Sequence, residues 1–301
     1  MRIAELGRLA VASVLNVMKS VLLVAERATP IHQSVNRALM LARYLRLPLD
    51  ILLCDAALAN APRPEQTPPH ALEEARQYVE ALRASVSALD VVIAIHAAFD
   101  RPPHELVAHH ARTEGAALIV KSSNLRRTAQ EIRVDWQLSR SVPAPLLLTQ
   151  GQPWHPRARF AAAIDVKDQH RTQRPRAAAS MASLRIACGA DLDLLYAQPP
   201  MLQLGEGAKR PAPRRLLQLA KELSIGSKQI QILSGEATEV LPAFAAAQEY
   251  DVVAVEQCRD GSFPGYLHSL SARLLQSFQG DVLVVNTGHA ALSEVHADAH
   301  A

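Results

Sequence analysis

The sequence predicts an α/β fold in which helices cover both faces of parallel sheets. Short runs of Val, Ile and Leu alternate with longer amphipathic stretches, which is the pattern of strands joined by helical crossovers. A series of five such runs occurs twice along the 301 residues. Hydrophobic residue types make up 49% of the chain and charged types 20%, a composition that supports the cores of about two domains.

The first half contains five apolar runs that predict strands. They lie at residues 21–25, 49–54, 91–96, 117–120 and 146–148. Helical periodicity fills the intervals, at residues 31–45, 71–88 and 104–114 and near residues 136–141. A helix therefore separates each strand from the next, as parallel strands require.

The second half repeats this series. Its predicted strands lie at residues 160–164, 192–196, 229–233, 252–255 and 282–285, with helices between them. The segment DRPPHELVAHHARTEGAALIV, which starts at Asp100, runs parallel to GEATEVLPAFAAAQEYDVVAV, which starts at Gly235, and Glu105 matches Glu239. Matching residues of the two halves are separated by a nearly constant number of positions in the sequence. This constancy indicates an internal duplication of a whole domain.

The duplication predicts the domain boundaries. The first domain is expected at residues 19–150 and the second at residues 158–287. Between them, QGQPWHPRA contains two prolines, which favour an extended linker. A helical extension is expected at residues 1–18 because its apolar residues recur at helical spacing, although a short signal sequence or a misassigned start codon would look similar. Residues 288–301 are expected to form a tail.

Charge and cysteine content exclude several classes of protein. Lys and Arg number 32 against 29 acidic residues, so the net charge of +3 gives no dense basic face for nucleic acid. The three cysteines are far apart and form no CxxC pair, so we expect neither a disulfide framework nor a zinc site, and a cytoplasmic location. No uncharged apolar run reaches the roughly 18 residues of a membrane helix, so no membrane association is expected.

Several segments carry a resemblance to a known family. In the second half they are AAAIDV, DLLYAQP, SGEATEVLPAFAAAQEYDVVAVE and LLQSFQGDVLVV, and in the first half SVLLVAE, PHELVAHHARTEGAALIVKSS and DWQLSRSVPAPLLL. Their order, repeated twice, resembles the universal stress proteins, and among these the tandem two-domain members of the bacterial E type. The resemblance covers nearly everything from Ser20 to Asn286.

This resemblance implies an architecture. Each domain is expected to be a five-stranded parallel sheet with helices on both faces, of the adenine nucleotide α-hydrolase-like type. Single-domain members pair through their edge strands, so the strands at 146–148 and 282–285 are the expected seam inside this chain. The chain is then expected to be a monomer with an internal pseudo-dimer, or a homodimer through another face.

The resemblance also implies where a ligand lies. In nucleotide-binding members the phosphates lie on a loop of the form G-x2-G-x9-G-[ST] after the fourth strand, and an aspartate ends the first strand. The first half has Glu26 at the strand end and no glycine in residues 121–143, so no nucleotide is expected there. Its cationic residues are read either as a solvated loop or as an anion site: Lys121, Arg126, Arg127 and Arg133.

The second half keeps Asp165 at the strand end and Ser269 after the displaced third glycine position. Glu256, Cys258 and His268 stand in for the three motif glycines, with one residue instead of two between the first pair, and Glu256 opposes a triphosphate unless a cation intervenes. The candidate ligand-binding residues are Asp165, Val166, Gln257, Cys258, Arg259, Gly261, Gly265, His268 and Ser269. ATP or another adenine nucleotide is the candidate occupant of the second domain, and no cofactor is assigned beyond it.

Catalysis has little support in the sequence. GxxxxGK[ST], GxGxxG and GxSxG are absent. Cys258 and His268 suggest a nucleophile and base, but their spacing does not show contact. His109 and His110 are adjacent on a helix and point about 100° apart, so no metal pair is expected.

The leading hypothesis is a non-catalytic stress-response protein with a modified small-molecule pocket in its second domain, whose partner is an unidentified small molecule or protein. One alternative is an ATP-binding protein with slow hydrolysis. The other is a scaffold for protein partners that binds no ligand.

Overall fold

A computed structural model of the chain describes residues 19–26, 31–54, 91–97, 101–123, 129–165, 175–198, 213–257 and 269–286, with the single helical residues 73, 77, 80 and 81. The strands are β1 (Ser20–Ala25), β2 (Leu49–Leu53), β3 (Ile93–Ala97), β4 (Ala116–Ser122), β5 (Leu146–Thr149), β6 (Arg159–Ala163), β7 (Asp191–Gln198), β8 (Ile230–Ser234), β9 (Val252–Gln257) and β10 (Asp281–Asn286). The helices are α1 (Ile31–Leu45), α2 (Pro103–Thr113), α3 (Ala129–Ser141), α4 (Arg176–Cys188), α5 (Arg214–Glu222), α6 (Ala237–Ala247) and α7 (Leu270–Ser277).

The ten strands form one continuous sheet in the order β3-β2-β1-β4-β5-β10-β9-β6-β7-β8. Within each half every pairing is parallel, and β5 and β10 pair antiparallel in the middle. Counted within its own half, each set of five strands has the order 3-2-1-4-5. The predicted α/β class is confirmed, and β5 and β10 pair where the sequence places the seam.

Two apolar clusters fill the space between the sheet and its helices. On one face, buried residues of α1, α4 and α5 pack against the sheet, and on the other face those of α2, α3, α6 and α7 do so. The strands alternate between these clusters: Val252 and Ala254 of β9 face the first group of helices, and Val253 and Val255 face the second. Strands buried on both faces account for the continuous apolar runs in the sequence.

The helices α2 and α6 show how closely the two halves correspond. Each has 11 residues, and each carries a glutamate in its first turn, Glu105 or Glu239. A carboxylate there interacts favourably with the positive end of the helix dipole. These are the two glutamates that the sequence comparison matched.

The linker between β5 and β6 is held by two buried aspartates. Asp281 Oδ1 accepts a hydrogen bond from Gln150 N and Oδ2 one from Trp154 Nε1, both at 2.9 Å. Asp281 Oδ2 also lies 2.9 Å from Arg37 Nε of α1. Burial raises the pKa of Asp281, and Arg37 opposes this rise. The network therefore joins α1 of the first half to the first residue of β10.

Asp251 holds the other end of the linker. Its Oδ1 accepts from His155 N at 2.8 Å, and its Oδ2 accepts from Arg159 N at 2.7 Å. The linker thus crosses the ends of β10 and β9, and the backbone N–H groups of Gln150, His155 and Arg159 donate to these two carboxylates. Such pairing fixes the path of a segment that has no secondary structure of its own.

Some predictions lie outside the described residues. These are the helical extension at residues 1–18, the tail at residues 288–301 and most of the helix at residues 71–88. Within the described part of the chain, no helix is long and apolar enough to cross a membrane.

Candidate functional site

Each half contains a point at which the helices change from one face of the sheet to the other. In the first half, α1 follows β1 on one face and α3 follows β4 on the opposite face. In the second half, α4 follows β6 and α7 follows β9 in the same way. Because the strand pairs β1–β4 and β6–β9 are neighbours, a crevice is expected at their carboxyl ends, where ligands of open α/β sheets bind.

Lys121 lies near the carboxyl end of β4, where the crevice of the first half is expected. It is the sixth residue of β4 and its side chain is 6% exposed. Its Nζ lies 3.2 Å from Glu26 Oε2, at the end of β1, and 3.1 Å from Asp135 Oδ1 of α3. The chain's own ion pairs therefore connect the two strands and the helix that border this crevice.

This arrangement corrects one interpretation of the sequence. Lys121 was expected either in a solvated loop or in an anion site, but it lies within a strand and is buried. A buried ammonium needs paired carboxylates to offset the loss of hydration, and Glu26 and Asp135 supply them. In the sequence, the burial of this lysine is indicated by its position directly after the apolar run AALIV. Its carboxylate partners could not be identified in the same way, because they are not adjacent to it in the chain.

The crevice of the second half has a different set of charges. Asp165 follows β6 closely and is exposed. The side chain of Lys121 on β4 lies on the face of the sheet that is covered by α2, α3, α6 and α7. On the same face, β9 has the buried Val255. Glu256, the next residue, points to the other face, where its Oε1 accepts a hydrogen bond of 3.1 Å from Ala177 N. Two carboxylates therefore border this crevice, one of them bonded to the first turn of α4.

Gln257, the last residue of β9, is almost fully enclosed. The residue is 9% exposed, and its Oε1 is buried and has no hydrogen-bond partner among the residues that the structure describes. Its register partner on β10 is Asn286, whose Nδ2 donates to Ser139 O of α3 at 3.3 Å. A buried amide oxygen without a donor is rare, because its desolvation is not compensated.

Ser269 begins α7. Its Oγ accepts from Ala272 N at 3.3 Å and lies 2.9 Å from Ser271 Oγ. The serine that the sequence assigned to the ligand site is therefore an N-cap, a role for which its side chain is well suited.

The structure brings Asp165, Gln257 and Ser269 to the carboxyl edge of the second half. The other candidates lie outside the described residues: Val166, Cys258, Arg259, Gly261, Gly265 and His268. Sequence reasoning recognised the Glu256 carboxylate as an obstacle to phosphate but missed its bond to α4.

Two cavities lie at the opposite edge of the second half, beside the linker. One has a volume of about 400 Å³ and is bordered by the ends of α6 and α7, and the other has about 440 Å³ and is bordered by α1. Both have Trp154 and His155 in their walls. Cys188 borders the second cavity, and burial raises the pKa of its thiol to about 12. This thiol therefore stays protonated near neutral pH and is a poor nucleophile.

Histidines form one further cluster. The rings of His96 on β3 and His110 on α2 have centroids 4.8 Å apart. Desolvation and the neighbouring His96 lower the pKa of His110. In the described part of the chain, however, no group of three or more His, Cys, Asp or Glu side chains could hold a metal ion.

Solved structures share this architecture. A candidate universal stress protein from Pseudomonas aeruginosa is 19% identical with a TM-score of 0.65, and the match covers 95% of this chain and 97% of that chain. A functionally unknown protein from Pseudomonas aeruginosa is 20% identical with a TM-score of 0.62 and the same coverage. A universal stress protein from Archaeoglobus fulgidus is 12% identical with a TM-score of 0.64, covering 90% and 98% of the two chains.

No protein-family model matches the chain, and no curated protein matches it. The sheet order and the crevices at its switch points define an α/β protein of the nucleotide-binding-like type. The chain has, more particularly, the fold of the universal stress proteins over nearly its whole length. The resemblance seen in the sequence is confirmed at the level of the fold.

Proposed function

We propose that this chain is a universal stress protein that binds a small molecule without transforming it. The pocket lies at the carboxyl ends of β6 and β9 in the second half, and the first half serves as its structural partner. The domain boundaries near residues 150 and 158 and the internal pseudo-dimer belong to this proposal. The stress-response role rests on the shared fold.

The contrast between the two crevices carries the proposal. In the first half, Lys121 connects Glu26 and Asp135 across the space that a ligand would enter. In the second half, Asp165 is exposed at the equivalent strand end, and Gln257 has a buried side-chain oxygen that accepts no hydrogen bond from the described residues. In the proposed arrangement, side chains of the chain itself fill the crevice of the first half. The crevice of the second half instead offers a carboxylate and an amide oxygen as ligand contacts.

The state of the two described cysteines favours binding over catalysis. Cys54 is buried and the Cys188 thiol is held protonated, so neither described cysteine is an activated nucleophile. Neither of these two cysteines is in a disulfide, which agrees with the reducing cytoplasm that we propose as the location.

Isothermal titration calorimetry with adenosine and with ATP and magnesium tests the proposal. We expect at least one of these probes to bind at a single site, without release of ADP or phosphate. Asp165→Ala should weaken that binding by about 1 to 3 kcal/mol, because a ligand that covers this carboxylate loses a polar partner.

Glu26→Ala is the matched control and should leave the affinity nearly unchanged. A larger effect at Glu26 than at Asp165 would place the site in the first half. Hydrolysis of ATP would favour the slow ATPase, and failure of both probes to bind would favour the scaffold.

A further inference from the structure

We infer that the cavity of about 400 Å³ at the ends of α6 and α7 binds a small organic cation with an apolar body, such as an amine on an aromatic group. The cavity lies where β9 and β10 begin, at the opposite edge of the sheet from the proposed pocket at the carboxyl ends of β6 and β9. The inference therefore concerns a second site and does not depend on the proposed function. The volume is within the range that is usual for small-molecule sites.

Aromatic residues provide apolar surface in this cavity. Trp154 of the linker, Tyr250 before β9 and Phe278 after α7 are in its walls. Tyr250 and Phe278 are buried, and the Trp154 ring packs edge-to-face on Phe160 with the ring centroids 5.1 Å apart. The electron-rich faces of such rings attract cations. Trp154 already contacts one, because the Arg37 guanidinium lies 4.1 Å from its ring centroid.

The charged groups of the walls are mainly acidic. Glu249 and Asp251 contribute two carboxylates, and there is no Lys or Arg among the described residues of the walls. Arg159 lies over the Tyr250 ring but is not a wall residue, and its Nη1 donates to Gln248 O. The local charge therefore favours a cationic ligand over an anionic one.

His155 adds a hydrogen-bond acceptor to the wall. Its Nδ1 lies 2.9 Å from Asp251 Oδ1, which also accepts a hydrogen bond from His155 N. Because a carboxylate oxygen accepts, Nδ1 is the nitrogen that has the proton, and Nε2 of the neutral ring is then an acceptor. The side chain is 48% exposed, so an ammonium N–H of a ligand can reach it.

Two helices end at the cavity. Ala246 lies in the last turn of α6, and Ser277 is the last residue of α7, and both are in the walls. The last carbonyl groups of a helix have no N–H partner in a following turn, and they form the negative end of the helix dipole. Cations are stabilised at this end, so the backbone and the carboxylates favour the same kind of ligand.

The first half has no equivalent of Glu249. The alignment that matches Glu105 with Glu239 places Gly115 opposite Glu249. Both residues are left-handed, with φ of 70° at Gly115 and 53° at Glu249. Glycine adopts this conformation at little cost, whereas a residue with a Cβ is strained there. Replacement of Glu249 by glycine therefore separates the stability of this turn from the use of its carboxylate.

Calorimetric titration of the full chain at pH 8 tests the preference for a cation. The probes are 2-phenylethylammonium, 2-phenylethanol and 3-phenylpropionate, which share a phenyl group and a two-carbon chain and differ in the charge of the end group. We expect the ammonium to bind at least about tenfold more tightly than the carboxylate, with the alcohol between them. Equal binding of all three, tighter binding of the carboxylate or no binding of the ammonium would overturn the inference.

Glu249→Gln tests the carboxylate. Because Glu249 is exposed, we expect the ammonium to bind about two- to fivefold more weakly and the alcohol to bind as before. Glu236→Gln, at the beginning of the same helix, is the control and should leave both affinities unchanged. Glu249→Gly should weaken the ammonium to the same extent while the melting temperature stays the same or rises. Unchanged binding of the ammonium in both Glu249 variants would contradict the assigned role.

A pair of adjacent alanines tests the location. Ala246 and Ala247 are both exposed at the end of α6, and of the two Ala246 is in the wall of the cavity. Ala246→Trp fills part of the cavity and should weaken the binding of 2-phenylethylammonium at least about tenfold. Ala247→Trp makes the same change beside the cavity and should leave this binding unaltered. An unchanged affinity in Ala246→Trp, or equal losses in the two variants, would place the ligand elsewhere and overturn the inference.

Discussion

At the scale of single residues, Lys121 holds a buried network of charges at the end of β4. Its ammonium is enclosed between Glu26 and the almost completely buried Asp135, whose side chain is 1% exposed. A buried ion pair contributes little net stability when intact, but loss of one partner leaves a charge in a medium of low dielectric constant. The stability of the first half therefore depends on this lysine at the carboxyl ends of β1 and β4.

Lys121→Met should destabilise the folded chain by about 3 to 5 kcal/mol, because the Asp135 carboxylate loses its buried cation. Lys121→Met combined with Asp135→Asn should recover much of this loss. Urea denaturation followed by circular dichroism measures both. Glu26→Gln should cost clearly less because the Glu26 side chain is 29% exposed. Equal losses for Lys121→Met and Glu26→Gln would contradict this account.

At the scale of the elements, the first turns of α4 and α7 are stabilised in two different ways. A residue 79 positions away caps α4, whereas α7 is capped by the residue that immediately precedes it. The hydrogen bond at the N-terminus of α4 forms only when β9 is in its native register. The hydrogen bond at the N-terminus of α7 depends only on the local sequence.

Ser269→Ala should lower the free energy of unfolding by about 1 kcal/mol, the usual effect of removing an N-cap side chain. Ser269→Asp should retain most of that stability, because aspartate accepts the same bond and its charge suits the helix dipole. Chemical denaturation measures the loss. The same variants titrated with adenosine should show a smaller change in affinity than Asp165→Ala, and a larger change would make Ser269 a direct ligand contact.

At the scale of the whole molecule, the antiparallel pairing of β5 with β10 makes ten strands one sheet. The linker network reinforces this junction, since Asp281 contacts both the linker and α1. The central edges of both halves are thereby covered. Covered edges do not recruit further strands.

Asp281→Ala should reduce the stability of the whole chain by about 3 to 5 kcal/mol, because the buried Arg37 guanidinium loses its carboxylate. Asp191→Ala removes a carboxylate from Arg157, but both of these side chains are well exposed, so the cost should not exceed about 1 kcal/mol. Urea titrations of the two variants provide the comparison. Similar losses would show that the linker network does not hold the junction.

The sequence by itself determined the series of strands and helices, since hydrophobic periodicity is local. The run at residues 146–148 and the run at residues 282–285 could be assigned to one seam only through the resemblance to a family whose single-domain members pair through their edge strands. Asp165 could be assigned to a strand end by the same reasoning. The boundaries differ by only one to a few residues from those observed for most described strands.

Only the tertiary structure decided the partners of the charged and amide side chains. Lys121 meets Glu26 across 95 residues, and Glu256 meets the backbone of Ala177 across 79. The burial of Gln257 depends on how α7 and the neighbouring strands pack around the end of β9. Periodicity specifies which side of a strand a residue faces, but a polar partner is fixed by the packing of elements that are distant in the chain.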